Sequence, residues 1–194
     1  MSSTTQKFQF QESFLSGVYE VLGLLMSDSR GSFSRLFCNE HFREIGFNKP
    51  IVQINTSHTM IQGSIRGLHF QYPPSSETKI VTCLKGEVFD VAVDIRLNSP
   101  TFLQWFGLHL SAENNKSLLI PEGFAHGFQT ITDNVDLLYF VSAAYNPESE
   151  GGLLYSDSKM DIKWPNKITE VSDKDRHWPM LDDSFRGIDL SIEK

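Results

Sequence analysis

Apolar and polar residues alternate along much of the chain after residue 79, and a period of two is typical of β-strands whose two faces differ. In residues 87–96 (EVFDVAVDIR) every second position from 89 to 95 is apolar, and residues 135–142 (VDLLYFVS) alternate in the same way. Residues 103–111 place Trp105 opposite a face made of Phe, Leu and Leu. Turn residues separate these runs, so the pattern predicts a mainly β protein, an antiparallel sandwich or barrel.

Outside these strands the pattern predicts a few local elements. Residues 39–46 (NEHFREIG) predict a short helix that Asn39 caps and Gly46 ends. Residues 30–33 (RGSF) predict a turn that enters a strand. Residues 1–13 predict a polar arm, and toward the C-terminus the pattern breaks into loops and short helices.

The composition narrows the class of protein. A chain of 194 residues predicts a single domain over 1–194, and 40% hydrophobic residues with 15 Phe are enough for a packed core. The net charge of −7 is opposite to the broad basic surface that nucleic-acid binding needs, so that partner is excluded. An anionic ligand would need a few Arg and Lys residues that converge locally.

The N-terminal segment and the cysteines favour a cytoplasmic protein. Residues 14–26 are largely apolar, but Glu20 interrupts them and no basic segment precedes them, so no signal peptide is expected. No run of 18 apolar residues exists, so we expect no contact with a membrane. Cys38 and Cys83 lie far apart without CxxC spacing, which predicts neither a disulfide framework nor a zinc site.

Two histidine-containing segments carry the clearest candidate chemistry. Residues 63–71 (GSIRGLHFQ) contain Arg66 and His69, and residues 121–128 (PEGFAHGF) contain His126 between two glycines. A histidine beside a carboxylate is a good general base near neutral pH, whereas a histidine at the edge of the core that bonds to the backbone is the alternative. A metal site would need His at i and i+2 on one strand. No HxH occurs in the chain, so no metal is expected.

Three further polar positions remain open from the residues alone. Lys79 stands at the head of a predicted strand, where it is either solvated or functional. Tyr139 lies in the middle of an apolar strand, so its hydroxyl needs a partner if it is buried. Residues 172–175 (SDKD) form a charged loop with no chemistry evident from composition.

Five motifs in order resemble the dTDP-4-dehydrorhamnose 3,5-epimerases, and the resemblance extends from about residue 27 to residue 175. These motifs are RGLHFQ (66–71), KGEVFDVAVDIR (85–96), SPTF (99–102), LSAEN (110–114) and IPEGFAHGF (120–128). The resemblance implies a cupin-type β-jelly roll (a double-stranded β-helix) with a few short helices, followed by a C-terminal extension over 176–194. It implies a homodimer that inverts C3 and C5 of a nucleotide-diphosphate-linked 4-keto-6-deoxyhexose without a metal or organic cofactor. It also implies a role in deoxysugar and surface polysaccharide biosynthesis, including that of lipopolysaccharide.

The resemblance also implies roles for individual residues. His69 would be the base, Asp175 its carboxylate partner, Tyr139 the acid and Lys79 a donor near the keto oxygen. The residues implied to contact the substrate are Arg30, Arg35, Gln53, Asn55, Arg66, His126, Tyr145, Glu150 and Lys174.

This chain departs from the family pattern at three places. Family members often carry Glu at the position of Arg35 and Lys at the position of Phe140, and the usual WNDP is YSDS at 155–158. The nucleotide, the hexose and the number of inverted carbons therefore stay open. A single-carbon epimerase or a ketoisomerase on a related sugar is one alternative. A non-catalytic sugar-binding cupin and a metal-dependent oxygenase are the others, and the missing HxH disfavours the oxygenase.

Overall fold

The structure, a computed structural model, describes residues 7–192 and is built mainly from β-strands. In chain order the strands are β1 (Phe8–Glu12), β2 (Tyr19–Gly23), β3 (Met26–Asp28), β4 (Gly31–Phe33), β5 (Gln53–Thr59), β6 (Ile65–Gln71), β7 (Lys79–Lys85), β8 (Glu87–Asp94), β9 (Trp105–Ser111), β10 (Lys116–Ile120), β11 (Phe124–Thr130), β12 (Val135–Val141) and β13 (Glu150–Gly152). The helices are α1 (Asn39–Phe42), α2 (Asp173–Arg176) and three 3₁₀ turns at Arg43–Ile45, Pro147–Ser149 and Leu190–Ile192.

Two antiparallel sheets face each other. The larger has six strands in the order β1-β2-β10-β7-β12-β5, and the smaller has five in the order β13-β6-β11-β8-β9. The remaining pair, β3 and β4, forms a separate hairpin around the turn predicted at residues 30–33. The predicted antiparallel barrel is therefore confirmed.

Part of the space between the sheets is filled by an apolar core to which both sheets contribute. Val81 and Leu137 come from the larger sheet, and Ala92, Leu110 and Phe128 come from the smaller one. The predicted face of β12 is confirmed, because Val135 and Leu137 are buried in this core and Tyr139 packs against it.

The smaller sheet is covered on its outer face as well. Val91, Val93 and Ile95 pack there against Met160 and Ile188 from the C-terminal part of the chain. The alternation predicted for residues 87–96 therefore separates two cores rather than a core from solvent. Residues 193 and 194 of the predicted C-terminal extension lie outside the described residues.

Two local predictions need correction. Residues 8–12, which were expected in a polar arm, form β1 because Phe8 is only 1% exposed and the strand pairs with β2. Residues 1–6 of that arm lie outside the described residues. The helix starts one residue earlier than predicted: the first helical amide, that of Phe42, bonds to the carbonyl of Cys38, so Cys38 and not Asn39 holds the capping position. The helical segment ends at Gly46 as predicted.

No helix within residues 7–192 has the length and apolar character that crossing a membrane requires.

Candidate active site

A cavity of about 800 Å³ occupies the rest of the space between the two sheets. That volume is within the range usual for small-molecule sites. On β5 the residues Gln53, Asn55 and Ser57 face it together, because alternate residues of a strand point to one side. The other polar residues that line it are Thr56, Thr59, Ser64, Arg66, His69, Glu77, Lys79, His126, Tyr139, Tyr145, Glu170, Ser172, Lys174 and Asp175.

His69 and Asp175 form a hydrogen-bonded pair in the cavity wall. Nε2 of His69 lies 2.6 Å from Oδ1 of Asp175, and the Gly67 amide donates to Oδ2 at 3.1 Å. Burial alone would raise the pKa of Asp175, but the hydrogen bond and charge of His69, with the bonds from Gly67 and Ser172, bring it below its usual range. The carboxylate is therefore ionised at neutral pH and accepts a hydrogen bond from Nε2 of His69, which leaves Nδ1 as the ring nitrogen that can take a proton from a ligand.

The local backbone explains why the sequence RGLH places His69 here. Gly67 has a φ of 117°, and a Cβ at this position would lie 2.6 Å from the Cα of Gly127 on β11. Only glycine permits both that conformation and that approach. The register of β6 against β11 shifts at this point, and His69 and His126 become direct cross-strand partners.

His126 has its own carboxylate partner. Its Nε2 lies 2.8 Å from Oδ1 of Asp90, and both side chains are almost completely buried. Within the described residues, Oδ2 of Asp90 has no hydrogen-bond partner. The ring of His126 lies 6.2 Å from the ring of Tyr139, and His126 is also the cross-strand partner of His69. It is therefore close to both candidate proton-transfer residues.

Tyr139 lies on the opposite sheet from His69. Its hydroxyl is 3.0 Å from the hydroxyl of Ser57 on the neighbouring strand β5. Burial raises the pKa of Tyr139 well above its usual value, although the Ser57 hydrogen bond and the charge of Arg66 act in the other direction. The phenol therefore keeps its proton at neutral pH and is a proton donor rather than a base.

Lys79 begins β7 and reaches the same cavity. Nζ of Lys79 lies 3.1 Å from Oε1 of Glu77, and the two side chains are only 14% and 12% exposed. This interaction fixes the ammonium group in the wall, where it can stabilise negative charge on a ligand oxygen.

A hydrogen-bonded cluster of side chains lies along one side of the cavity. Glu150 accepts from Lys174 at 2.5 Å and from the Tyr145 hydroxyl at 3.1 Å. Burial would raise the pKa of Glu150, but these two bonds lower it. Gln53 accepts from the Tyr145 amide and donates to Asn55. Five residues predicted to bind the substrate therefore lie together.

The three predicted arginines lie in different places. Arg66 lines the cavity and is exposed, and its guanidinium donates to the carbonyl of His58 at 3.0 Å. Arg30 is on the β3–β4 hairpin, 88% exposed and paired with Asp28. Arg35 lines a separate cavity of about 130 Å³. The described chain therefore brings Arg66 to the site but not Arg30 or Arg35, whose roles stay predictions.

Several site residues were not predicted. They are the partners of predicted residues: Ser57 of Tyr139, Glu77 of Lys79 and Asp90 of His126. Glu77 could have been found, because it stands two residues before Lys79, and residues i and i+2 of an extended segment share a face. Over residues 7–192, no three or more His, Cys, Asp or Glu side chains converge in a way that could hold a metal ion.

Comparisons with known proteins agree with this geometry. The family model for dTDP-4-dehydrorhamnose 3,5-epimerase matches residues 12–183. The dTDP-4-dehydrorhamnose 3,5-epimerase of Salmonella typhimurium is 46% identical over 163 residues, which are 83% of this chain and 88% of that protein.

Two solved structures are similar over most of their length. The dTDP-4-dehydrorhamnose 3,5-epimerase of Bacillus anthracis, solved with TDP and PPi bound, has a TM-score of 0.87 and 37% identity, covering 90% of this chain and 99% of that chain. The dTDP-6-deoxy-D-glucose-3,5-epimerase of Legionella pneumophila, solved with dTDP-4-keto-L-rhamnose, has a TM-score of 0.85 and 38% identity, covering 89% and 92%. The fold is thus the cupin-type jelly roll, and the chain belongs to the dTDP-4-dehydrorhamnose 3,5-epimerase family.

Proposed function

We propose that the protein is an isomerase that inverts C3 and C5 of a dTDP-linked 4-keto-6-deoxyhexose by removing and returning protons. One observation carries the proposal: His69 on the five-stranded sheet and Tyr139 on the six-stranded sheet line the same cavity from opposite sides. A sugar held between them meets a base on one face and an acid on the other, which is what inversion at carbon requires.

His69 takes the first proton in this proposal. The C–H groups beside the C4 ketone are acidic because the carbanion delocalises into an enolate. Nδ1 of His69 accepts the proton, and the ionised Asp175 bonded to Nε2 stabilises the imidazolium that forms. His69 then releases its proton to water and Tyr139 takes one up, so that the same groups can act at C3 and at C5 in turn.

Tyr139 completes the inversion from the other side. Its protonated phenol delivers a proton to the carbanion carbon on the face away from His69. The phenolate formed is buried, which is unfavourable, and the Ser57 hydrogen bond together with the charge of Arg66 offsets part of that cost. Lys79, held by Glu77, stabilises the enolate oxygen, and His126, held by Asp90, contacts the sugar.

Charge pairing supports Arg66 as the diphosphate ligand. Among the cations that line the cavity in the described chain, Lys79 is paired with Glu77 and Lys174 with Glu150. Arg66 has only a carbonyl partner, so its guanidinium is available to phosphate oxygens in a bidentate geometry. Gln53, Asn55 and the aromatic ring of Tyr145 would contact the nucleotide at the entrance.

We also propose a homodimer. Exposed apolar side chains support it. Met26 and Phe33 on the β3–β4 hairpin are 42% and 59% exposed. Ile54 on the edge strand β5 is 58% exposed, and Val52, which directly precedes that strand, is 52% exposed. Light scattering should return about twice the mass of the chain. A cytoplasmic location and a role in lipopolysaccharide or other surface polysaccharide biosynthesis belong to the same proposal.

The decisive experiment is an NMR time course in D₂O with dTDP-4-keto-6-deoxyglucose. Deuterium should enter at both C3 and C5 as the inverted product forms, with the same rate after dialysis against EDTA. Deuterium at one carbon would make the protein a single-carbon epimerase, and a shifted carbonyl would make it a ketoisomerase. Binding without exchange would indicate a non-catalytic sugar-binding protein.

A further inference from the structure

The indole of Trp178 fills the space that a side chain at position 152, a glycine beside His69, would occupy. Gly152 on β13 is the direct cross-strand partner of His69, so a side chain at position 152 would lie next to the imidazole on the same face. A Cβ on Gly152 would come within 2.0 Å of Cε2 of Trp178. The backbone of Gly152 is not left-handed, so the indole and not the backbone conformation excludes a side chain there.

The rings of Trp178 and His69 are in edge contact. Their centroids are 6.5 Å apart at an interplanar angle of 67°, within the range of favourable edge-to-face aromatic pairs. Nζ of Lys174 lies 5.9 Å from the indole centroid, which is a cation–π distance.

Trp178 and Asp175 belong to one short segment. Asp175 is in α2, whose first turn is capped by the Ser172 hydroxyl, and Trp178 follows two residues after the helix. One segment therefore contacts His69 twice, through a carboxylate at Nε2 and through an aromatic edge. A single hydrogen bond fixes the distance of Nε2 from Asp175 but leaves the imidazole free to turn about it.

The indole is held by packing and not by its N–H group. Nε1 of Trp178 is buried and has no hydrogen-bond partner among the described residues. Leaving a buried donor unpaired costs about 1–3 kcal/mol. Trp178 is not among the residues that line the cavity.

We propose that Trp178 is a positioning residue that fixes the plane of the His69 imidazole, so that Nδ1 points at the C–H bond to be broken. This inference rests on the proposed epimerase function. Because proton transfer depends steeply on alignment, a misplaced imidazole slows the reaction without weakening nucleotide binding.

The test compares Trp178→Ala with Trp178→Phe, and Trp164→Ala serves as a control for loss of a tryptophan outside the cavity. We expect Trp178→Ala to lower kcat about 10- to 100-fold, with the Kd for dTDP unchanged within twofold. Trp178→Phe keeps an aromatic edge and loses no hydrogen bond, so its kcat should stay within about threefold. A folded Trp178→Ala with parental kcat, or an equal loss in Trp164→Ala, would overturn the proposal.

A second pair of variants uses Gly152. Gly152→Val alone should displace the indole and lower kcat, because its side chain overlaps Trp178. The combined variant Gly152→Val/Trp178→Ala should recover at least about fivefold over Trp178→Ala, since valine then fills the space beside His69. Additive losses would count against the proposal. Where Trp178→Ala is too unstable to assay, a parental kcat in a folded Gly152→Val would count against it instead.

Histidine NMR separates this inference from the proposed function. The His69 ring protons should shift between the parent and Trp178→Leu more than between the parent and Trp178→Phe, while those of the exposed His109 stay in place. Unmoved His69 signals would refute the contact in solution. A parent protein with no turnover of the keto sugar would refute the function instead.

Discussion

His69 and Asp175 are joined at 2.6 Å through Nε2 of the imidazole, although 106 residues separate them in the chain. The carboxylate is 4% exposed and the imidazole is 34% exposed. A buried carboxylate therefore holds Nε2, and the second ring nitrogen, Nδ1, is left without that partner. This arrangement is suited to a base that must be neutral before the reaction and charged after it.

Replacing the base should stop proton removal. His69→Asn should lower exchange of deuterium into C3 and C5 by at least about 10²–10⁴-fold, because the variant removes the proposed base. Asp175→Asn should lower it less, since the imidazole remains but loses its anion. NMR in D₂O measures both rates. His109→Asn, which removes an exposed histidine paired with Glu87, is the matched control and should behave as the parent.

Replacing the acid should separate exchange from inversion. Tyr139→Phe keeps the ring and removes the hydroxyl, so His69 can still take a proton and return a deuteron to the same face. We expect deuterium to enter the sugar while net inversion falls about 10²–10⁴-fold. Tyr19→Phe, outside the cavity, serves as the control. Inversion at the parental rate in Tyr139→Phe would remove Tyr139 from the mechanism and make Tyr145 the next candidate.

Removing the unpaired cation should weaken binding of the nucleotide diphosphate. A charge-assisted hydrogen bond contributes about 1.5–3 kcal/mol, so Arg66→Ala should raise the Kd for dTDP about 10- to 150-fold. Calorimetric titration measures the affinity, and Arg176→Ala, an exposed arginine outside the cavity, is the control. An unchanged Kd would mean that Arg66 has another role.

Arg30 is not among the residues that line the cavity of its own chain. If the resemblance assigns it correctly, the second copy in the proposed homodimer must supply it. Arg30→Ala and His69→Asn should each be inactive alone, whereas a refolded mixture of the two should regain about a quarter of the parental activity, because half of the dimers are mixed and each holds one intact site. No recovery in the mixture would mean that Arg30 does not act in the site of the partner subunit.

Acid should destabilise the protein partly through Asp175. Because the pKa of this carboxyl is lowered in the folded state, it contributes stability above about pH 3.9, its usual unfolded value, and loses that contribution as the pH falls through the folded value. The difference in Tm between the parent and Asp175→Asn should therefore be largest near pH 7 and shrink below pH 4. Asp173→Asn, on the same helix but 93% exposed, should show no such change.

The sequence predicts the strands and the reacting residues better than the partners that hold them. Alternation in residues 135–142 correctly puts Tyr139 inside, but it carries no information on register, and register alone sets Ser57 beside Tyr139 across 82 residues. In the sequence, Asp90 between Phe89 and Val91 has the pattern of a solvent-facing residue on an alternating strand. In the structure both faces of β8 are buried, so Asp90 is buried as well. The place of Trp178 beside Gly152 depends on how the C-terminal segment returns to the sheet.

His69 and Tyr139 belong to different sheets, so no short stretch of chain sets the gap between base and acid. That gap depends on the apolar core between the sheets, which includes Val81, Ala92 and Leu110, three residues that do not line the cavity. A close-packed interior transmits a change in volume rather than absorbing it. A substitution in this core would thicken or thin the slot in which a sugar ring must lie, without altering any group that reacts. Which carbon is aligned for a complete inversion therefore depends on the volume of the core between the sheets as well as on the catalytic side chains.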